Sequence, residues 1–373
     1  MFIFIWNVIF IAAYSTFKRR FTLIDSFEWK TPTNVKGNFP LYIVVILIVS
    51  LLIIAIQYDF IVQRILYKNF LAQDMSMQKM LIVVKTFFSI PFIGLIMTII
   101  YLKESKKLNL NRLIISVIFL FILAAFFFVK NPMIEKRNAL GPIFITLILF
   151  IKPKLLNTNK KFVSFMFLSM VIVFPLISIL THSKVGLKDL ISKPNQITNN
   201  LKAENIFNEF NTLHYDAYSN TLATMDYVDN YGITYGNQFL GGIFFFIPRS
   251  IWTSKPESTG KFIGQYLIKN YNMWFDNISN PFLSEGIINF GFLSLFIFPI
   301  LLAWFIVLML NWQYSNDLFK QVTAIYFSIH LIFLLRGDFT NGWAYFVGTF
   351  IGIYIIPKVI IQIINSLPKK KIE

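Results

Sequence analysis

The sequence contains no cysteine, few charged residues and only three histidines. Without cysteine, disulfide bonds and thiolate metal sites are excluded. Charged residues make up 14% of the 373 residues and hydrophobic residues 56%, whereas soluble globular chains carry roughly 25% charged residues. The chain also lacks a glycine-rich phosphate loop, a His-Glu-x-x-His helix and an internal repeat. The low charge and high hydrophobic content exclude an ordinary soluble domain and disorder. The absence of a phosphate loop argues against an ATP-driven pump.

Nine apolar segments are long enough, or nearly long enough, to cross a membrane as helices. A bilayer core of about 30 Å needs roughly 20 mostly apolar residues, because lipid offers no hydrogen-bond partner to the backbone. The first segment lacks the basic start and the cleavage site of a signal peptide, so we expect a retained helix. The sequence therefore predicts an all-α, polytopic helical membrane bundle. The predicted spans are Phe2–Phe17, Phe39–Gln57, Met80–Leu102, Leu113–Val129, Ala139–Ile151, Phe162–Thr181, Ile287–Leu310, Val322–Leu335 and Trp343–Ile364, of which the fifth and eighth are short.

The surplus of basic residues indicates membrane orientation rather than nucleic-acid binding. The formal net charge is +16. If Lys369, Lys370 and Lys371 lie in the cytoplasm and nine spans alternate, the cytoplasmic connections hold 18 basic and five acidic residues, and the rest of the chain 16 and 13. Short cytoplasmic connections of membrane proteins retain Lys and Arg. We therefore expect an outer N-terminus, a cytoplasmic C-terminus and no nucleic-acid partner.

A long insertion divides the chain into three parts. The predicted parts are N-terminal transmembrane helices in residues 1–181, a large extracytoplasmic loop with short helices in residues 182–281, and C-terminal transmembrane helices in residues 282–373. The insertion is rich in tyrosine, phenylalanine and tryptophan, so it is expected to fold and to carry function. Its pattern predicts an amphipathic helix near Ala203–Thr224, a glycine-rich turn at Tyr231–Gly236 and a short apolar element at Phe239–Ile247.

The string Pro248-Arg249-Ser250-Ile251-Trp252-Thr253-Ser254-Lys255-Pro256 places two cations beside an indole and between prolines. The Arg249 fork and the Lys255 point charge suit the oxygens of a diphosphate. Trp252 is a candidate for stacking on a sugar ring. The alternative is a basic and aromatic collar at the membrane interface, which is common in membrane proteins.

Two further clusters precede apolar segments. Glu285, at the mouth of the seventh predicted span, is a candidate general base or an ordinary carboxylate at a helix start. Arg336 and Asp338 lie in the tight turn between the eighth and ninth spans, where they are partners for Arg249 or a ligand, or simply a surface pair. Arg137 is a candidate for a second phosphate contact or for snorkelling.

The three histidines are scattered along the sequence, so metal binding is not expected. His214, beside Asp216, is the histidine we would test as a base.

These motifs together resemble the O-antigen polysaccharide polymerases of the Wzy type, over about residues 200–345. The string Pro-Arg-x-x-Trp-x-x-Lys-Pro is the specific part, whereas the N-terminal half is similar only in hydropathy. The residues that carry the resemblance are Gly232–Gly236, Ile247–Pro256, Ser284–Gly291 and Leu335–Asp338. Many members of that family are described with more transmembrane helices and with the N-terminus inside. The nine spans and outer N-terminus expected for this chain depart from that pattern.

The resemblance implies a GT-C-like glycosyltransferase of the bacterial inner membrane, with the large loop periplasmic or extracellular. Such enzymes transfer a growing glycan from undecaprenyl diphosphate to a lipid-linked repeat unit, building O-antigen or capsular polysaccharide without a metal, nucleotide sugar or other cofactor. The implied partners are donor and acceptor lipid-linked glycans, membrane lipids, a chain-length co-polymerase and a flippase. The assigned residues are Arg249, Glu285 and Asp338 as catalytic groups, with Lys255, Trp252, Arg336, Arg137, Tyr235 and His214 as substrate-binding groups.

Two other functions stay open at this point. A ligase that moves a finished glycan onto another acceptor would use the same outer face and similar cations. A non-enzymatic transporter of lipid-linked sugars would instead place charged groups on a path within the membrane. Lys85 and His330 are the residues nearest to that description.

Overall fold

The described part of the chain is entirely helical. The computed structural model describes residues 2–20, 38–66, 82–105, 109–132, 134–135, 137–156, 158–173, 216–276 and 278–366, and these ranges contain no β-strand. The helices in chain order are α1 (Phe2–Arg20), α2 (Phe39–Ile56), α3 (Tyr58–Leu66), α4 (Ile82–Glu104), α5 (Leu110–Val129), α6 (Arg137–Ile151), α7 (Asn159–Leu168), α8 (Ala217–Tyr231), α9 (Asn237–Ile243), α10 (Thr259–Tyr271), α11 (Phe282–Phe290), α12 (Ser294–Gln313), α13 (Leu318–Arg336), α14 (Phe339–Phe350) and α15 (Ile356–Ser366).

Six segments among the described residues are long and apolar enough to cross a membrane, and each corresponds to a predicted span. They are Phe39–Ile56, Ile82–Glu104, Leu110–Val129, Phe282–Gln313, Leu318–Arg336 and Phe339–Ser366. The predicted bundle of membrane-crossing helices is confirmed at this level.

The other three predicted spans have different outcomes. The predicted span Ala139–Ile151 belongs to a shorter apolar helix, and the first segment forms α1, which packs against α12 but is not among the six. The predicted span Phe162–Thr181 begins within α7 and continues through a π turn at Ser169–Val173. Its remainder lies outside the described residues.

The core of the bundle forms around α4, which is buried along most of its length. Gly94 permits a close approach of α2 and α5, because a Cβ atom there would lie 3.0 Å from a methyl group of Ile46 and 3.3 Å from one of Ile122. Phe92 meets Tyr326 of α13 with ring centroids 6.1 Å apart. In contrast, α2 and α5 turn many apolar side chains outward, as expected of helices that face lipid.

Side-chain contacts define two opposite ends of the bundle. At one end, Lys358 lies 2.6 Å from Asp317, and Tyr42 donates a hydrogen bond to Asn365 at 2.7 Å. Residues 216–276 and 278–291 pack at the other end, against the turn between α13 and α14. We call this second end the site end.

Candidate functional site

The site begins with a break in a long apolar segment. Phe282–Gln313 is divided at Gly291 into α11 and α12, and Gly291 has φ +58°, a conformation that L-residues with side chains rarely adopt. The nine-residue α11 carries Glu285 and Asn289 four residues apart, so both lie on one face. The break therefore creates a short helix at the site end with polar side chains inside an otherwise apolar segment.

Glu285 is the most deeply buried carboxylate of this region, with 1% of its surface exposed. Its Oε1 accepts a hydrogen bond from Thr259 Oγ1 at 2.6 Å and a longer one from Asn289 Nδ2 at 3.3 Å. Its Oε2 is buried and has no hydrogen-bond partner among the described residues. Because an unsatisfied buried carboxylate oxygen is costly, this atom is a natural acceptor for a ligand hydroxyl.

Asp338 is a second buried carboxylate, and it joins two helix starts. Its Oδ1 accepts the N–H of Asn341 at 3.2 Å, and its Oδ2 accepts the N–H of Gly260 at 2.9 Å. Burial raises the pKa of Asp338, while these backbone hydrogen bonds oppose the rise. Thr259 contacts Glu285 and the next residue, Gly260, contacts Asp338, so the start of α10 connects the two carboxylates.

The glycine-rich turn before α9 supports α11 from the other side. Asn289 Oδ1 accepts the N–H of Phe239 at 3.1 Å and the hydroxyl of Thr234 at 3.2 Å. The N–H of Gly236 reaches the carbonyl of Asn289 at 3.0 Å. Gly232 and Gly236 both have positive φ, which confirms the predicted turn. Tyr235, predicted to bind substrate, projects outward from this turn and is exposed.

The predicted cationic string folds back on itself. The Lys255 ammonium donates to the carbonyls of Phe244, Phe245 and Ile247 at 2.8–3.0 Å. An ammonium group has three N–H donors, so the predicted phosphate contact of Lys255 would require these bonds to break. Partial burial, with a contribution from nearby Arg249, lowers the pKa of Lys255. Lys255 therefore holds the loop after α9 in shape.

Arg249 is more accessible than Lys255. Its guanidinium donates to the carbonyl of Lys255 and lies 3.2 Å from Glu257, and 47% of the side chain remains exposed. Trp252 is half-buried in the same loop. Arg249 thus stays a candidate for contact with an anionic ligand.

Arg336 lies two residues before Asp338 in the sequence, but its ion pair is with a different carboxylate. Its guanidinium is 3.5 Å from Asp216, at the start of α8. Burial raises the pKa of Asp216, opposed first by a hydrogen bond with Asn220 and then by Arg336. The structure thus gathers Glu285 with Asp338, and it places Arg249 and Arg336 in separate ion pairs at the same end.

Two predicted site residues are not tested by these contacts. Arg137 begins α6, but its side chain is not among those described, and His214 lies outside the described residues. Within the described ranges, no group of three or more His, Asp or Glu side chains could hold a metal ion.

Sequence reasoning missed Thr259 and Asn289 as partners of Glu285. Asn289 carries a usable signal, because it lies four residues after Glu285 in an apolar helix. Thr259 carries none, since a threonine at the start of a helix is ordinary.

A further set of buried polar groups joins α8 to the entry of α11. Thr224 donates to Asn280 Oδ1 at 3.0 Å, and Ser284 donates to Thr221 at 2.9 Å. These bonds fix the position of α11, and therefore of Glu285.

No protein-family model, curated protein or solved structure matches the chain. The fold supports only a broad class of protein. Six of the described segments are long and apolar enough to cross a membrane, which fits a multi-pass membrane protein. The resemblance to O-antigen polymerases stays a prediction.

Proposed function

We propose that this protein is a membrane glycosyltransferase that polymerises undecaprenyl-diphosphate-linked repeat units into O-antigen or capsular polysaccharide on the outer side of the inner membrane. The observation that carries the proposal is Glu285, buried with one oxygen held by Thr259 and the other without a partner in the described residues. Arg249 and Arg336 lie at the same end of the bundle. A base and cations at one end are what transfer from a lipid diphosphate requires.

The reaction assigns each group a separate task. The acceptor sugar hydroxyl gives its proton to Glu285 Oε2 as its oxygen forms a bond to the donor's anomeric carbon. The bond between that carbon and the diphosphate oxygen breaks, and its electron pair leaves with the lipid diphosphate. Fixed cations stabilise the leaving charge most strongly where water is scarce, and this is the role proposed for Arg249 and Arg336.

Two residues take supporting roles in this proposal. Asp338 uses both oxygens on backbone N–H groups, so it acts as a positioning residue that keeps the start of α10, and thereby Thr259, against Glu285. Lys255 holds the loop that presents Arg249. These roles replace direct catalysis by Asp338 and direct phosphate binding by Lys255.

The test is conversion of lipid-linked repeat units to polymer by the purified protein in lipid vesicles. Glu285→Gln preserves the shape of the side chain and an acceptor for Thr259, but it removes the base. Loss of a positioned general base costs about 10²- to 10⁴-fold in rate. We therefore expect single repeat units and no ladder, which is the series of polymer lengths separated on a gel. The matched control is Glu104→Gln, the same change at an exposed position on α4, which should leave the ladder unchanged. A wild-type protein that forms no polymer, or an active Glu285→Gln variant, would contradict the proposal.

One observation favours transport of lipid-linked sugars as a second candidate. Lys85 Nζ lies 4.1 Å from the ring centroid of Tyr345, and the His330 ring lies 6.2 Å from the same ring. All three side chains are buried within segments able to cross a membrane, where ionisable groups often mark substrate paths. Vesicles that move a fluorescent lipid-linked sugar between leaflets without changing it covalently would support transport instead of transfer.

A further inference from the structure

Four tyrosine rings form one connected surface on α8 and α10. Tyr227 stacks on Tyr231 with ring centroids 5.3 Å apart, and Tyr266 meets both edge-on at 5.3 and 5.9 Å. Tyr271 meets Tyr266 at 6.1 Å. We call these four rings, with Asp226 between them, the tyrosine platform. None of its members belongs to the site around Glu285.

Asp226 fixes the polar edge of the tyrosine platform. Its Oδ2 accepts the hydroxyls of both Tyr266 and Tyr271, the latter at 2.7 Å. These hydrogen bonds lower the pKa of Asp226, so its carboxylate is ionised at neutral pH. Because both phenol hydrogens point to the carboxylate, the lone pairs of the phenol oxygens are available to accept hydrogen bonds from a ligand.

The outer rings of the tyrosine platform are open to a ligand. Tyr231 and Tyr271 each expose 59% of their surface, although their inner neighbours are packed over the apolar contact of α8 with α10. Large rings with fixed acceptors at their edge match a sugar ring, which has an apolar C–H face and a rim of hydroxyl donors. A cage for a quaternary ammonium group fits less well, because rings packed 5–6 Å apart leave no gap for a cation between them.

The tyrosine platform is displaced along α10 from Thr259, the residue that contacts Glu285. Thr259, which contacts Glu285, begins this helix, and Tyr266 and Tyr271 follow it by seven and twelve residues. At about 1.5 Å per residue these offsets are roughly 10 and 18 Å. The surface is therefore too far away to touch the reacting atoms, but near enough to hold the same chain.

We propose that the tyrosine platform binds the glycan chain at a subsite several sugars away from the reacting end. This inference rests on the proposed glycosyl transfer for its biological meaning, but binding itself needs no reaction. Holding the chain there would keep the polymer associated between transfer steps. The tyrosine platform would thus favour long products without contributing to the formation of a single linkage.

Binding is tested with glycan released by mild acid from cells that express the gene, so that the lipid is absent. Its affinity for the full-length protein in nanodiscs is measured by microscale thermophoresis. We expect Tyr231→Leu and Tyr271→Leu each to weaken binding at least tenfold, and Tyr271→Phe, which keeps the ring, to weaken it less. Tyr218→Leu is the matched control, since Tyr218 is an exposed tyrosine on α8 outside the platform. It should stay within twofold of wild type.

Product length provides the second readout. In the polymerisation assay, the double variant Tyr231→Leu/Tyr271→Leu should form the first linkage within twofold of the wild-type rate but yield a shorter ladder. Equal affinity of the platform variants and Tyr218→Leu for the released glycan would overturn the inference. If wild type makes no polymer but binds the glycan through these tyrosines, the subsite stands and the proposed transfer fails. Binding of a choline-containing ligand to these tyrosines in place of the glycan would also overturn the inference.

Discussion

The hydroxyl of Thr259 is the contact whose loss should reveal most about Glu285. Thr259→Val keeps the size and branching of the buried side chain and removes the donor 2.6 Å from Glu285 Oε1. A hydrogen bond to a charged acceptor contributes about 1.5–3 kcal/mol, against about 0.5–1.5 kcal/mol for a neutral one. In alkaline buffer, where the Glu285 carboxyl is ionised, we therefore expect the valine change to cost about 1.5–3 kcal/mol of unfolding free energy when residue 285 is Glu and about 0.5–1.5 kcal/mol when it is Gln.

Denaturant-induced unfolding in detergent micelles measures these differences, and the polymer ladder measures activity. A base that is displaced by a fraction of its contact distance transfers protons poorly, so Thr259→Val should slow polymerisation at least tenfold. Thr259→Ser retains the hydroxyl and should stay close to wild type in both assays. If valine and serine behave alike, or if valine costs the same whether residue 285 is Glu or Gln, then Thr259 does not hold Glu285 and the reasoning is refuted.

Three further predictions address the supporting residues. Lys255→Arg should impair transfer as much as Lys255→Met, because a guanidinium does not fit the three carbonyls that hold the ammonium. A wild-type transfer rate in the arginine variant would instead support a direct contact between residue 255 and phosphate. Gly260→Ala should destabilise by about 1–3 kcal/mol in thermal unfolding, since its Cβ would lie 2.2 Å from the Ile278 carbonyl. Gly141→Ala, whose Cβ meets only the Phe333 ring at 3.5 Å, is its control and should be neutral or slightly stabilising. Because burial raises the pKa of Asp338, the stability of wild type relative to Asp338→Asn should be highest below the ordinary aspartate pKa of about 3.9 and fall as pH rises through the raised value. A relative stability that increases with pH would contradict that sign.

The membrane-crossing helices were predictable because hydropathy over about 20 residues is a local property of the sequence. Six of the predicted spans correspond to described segments that are long and apolar enough to cross a membrane. The division at Gly291 was less visible, since a single glycine in an apolar run is compatible with a continuous helix. In the structure the turn around Gly236 pairs with the end of α11 just before Gly291, and this contact between distant parts of the chain is not visible in hydropathy.

The candidate site was predictable in residue type but not in pairing. A lone carboxylate before a long uncharged segment pointed to Glu285, and the structure buries it. Its neighbour Asp338 and its donor Thr259 are distant in sequence, so their meeting depends on how α10 packs against α14. The partners of Arg249 and Lys255 could not be predicted for the same reason, because two cations between prolines suit either a ligand or the carbonyls of their own loop.

The most direct test of the central claim counts the lipid diphosphate that the purified protein releases from lipid-linked repeat units against the glycosidic linkages that it forms. If Glu285 deprotonates the acceptor hydroxyl and the diphosphate is the leaving group, wild type releases one undecaprenyl diphosphate per new linkage. Glu285→Gln should then release none above background, and Glu104→Gln should match wild type. Release without linkage formation, or equal release by wild type and Glu285→Gln, would contradict the account.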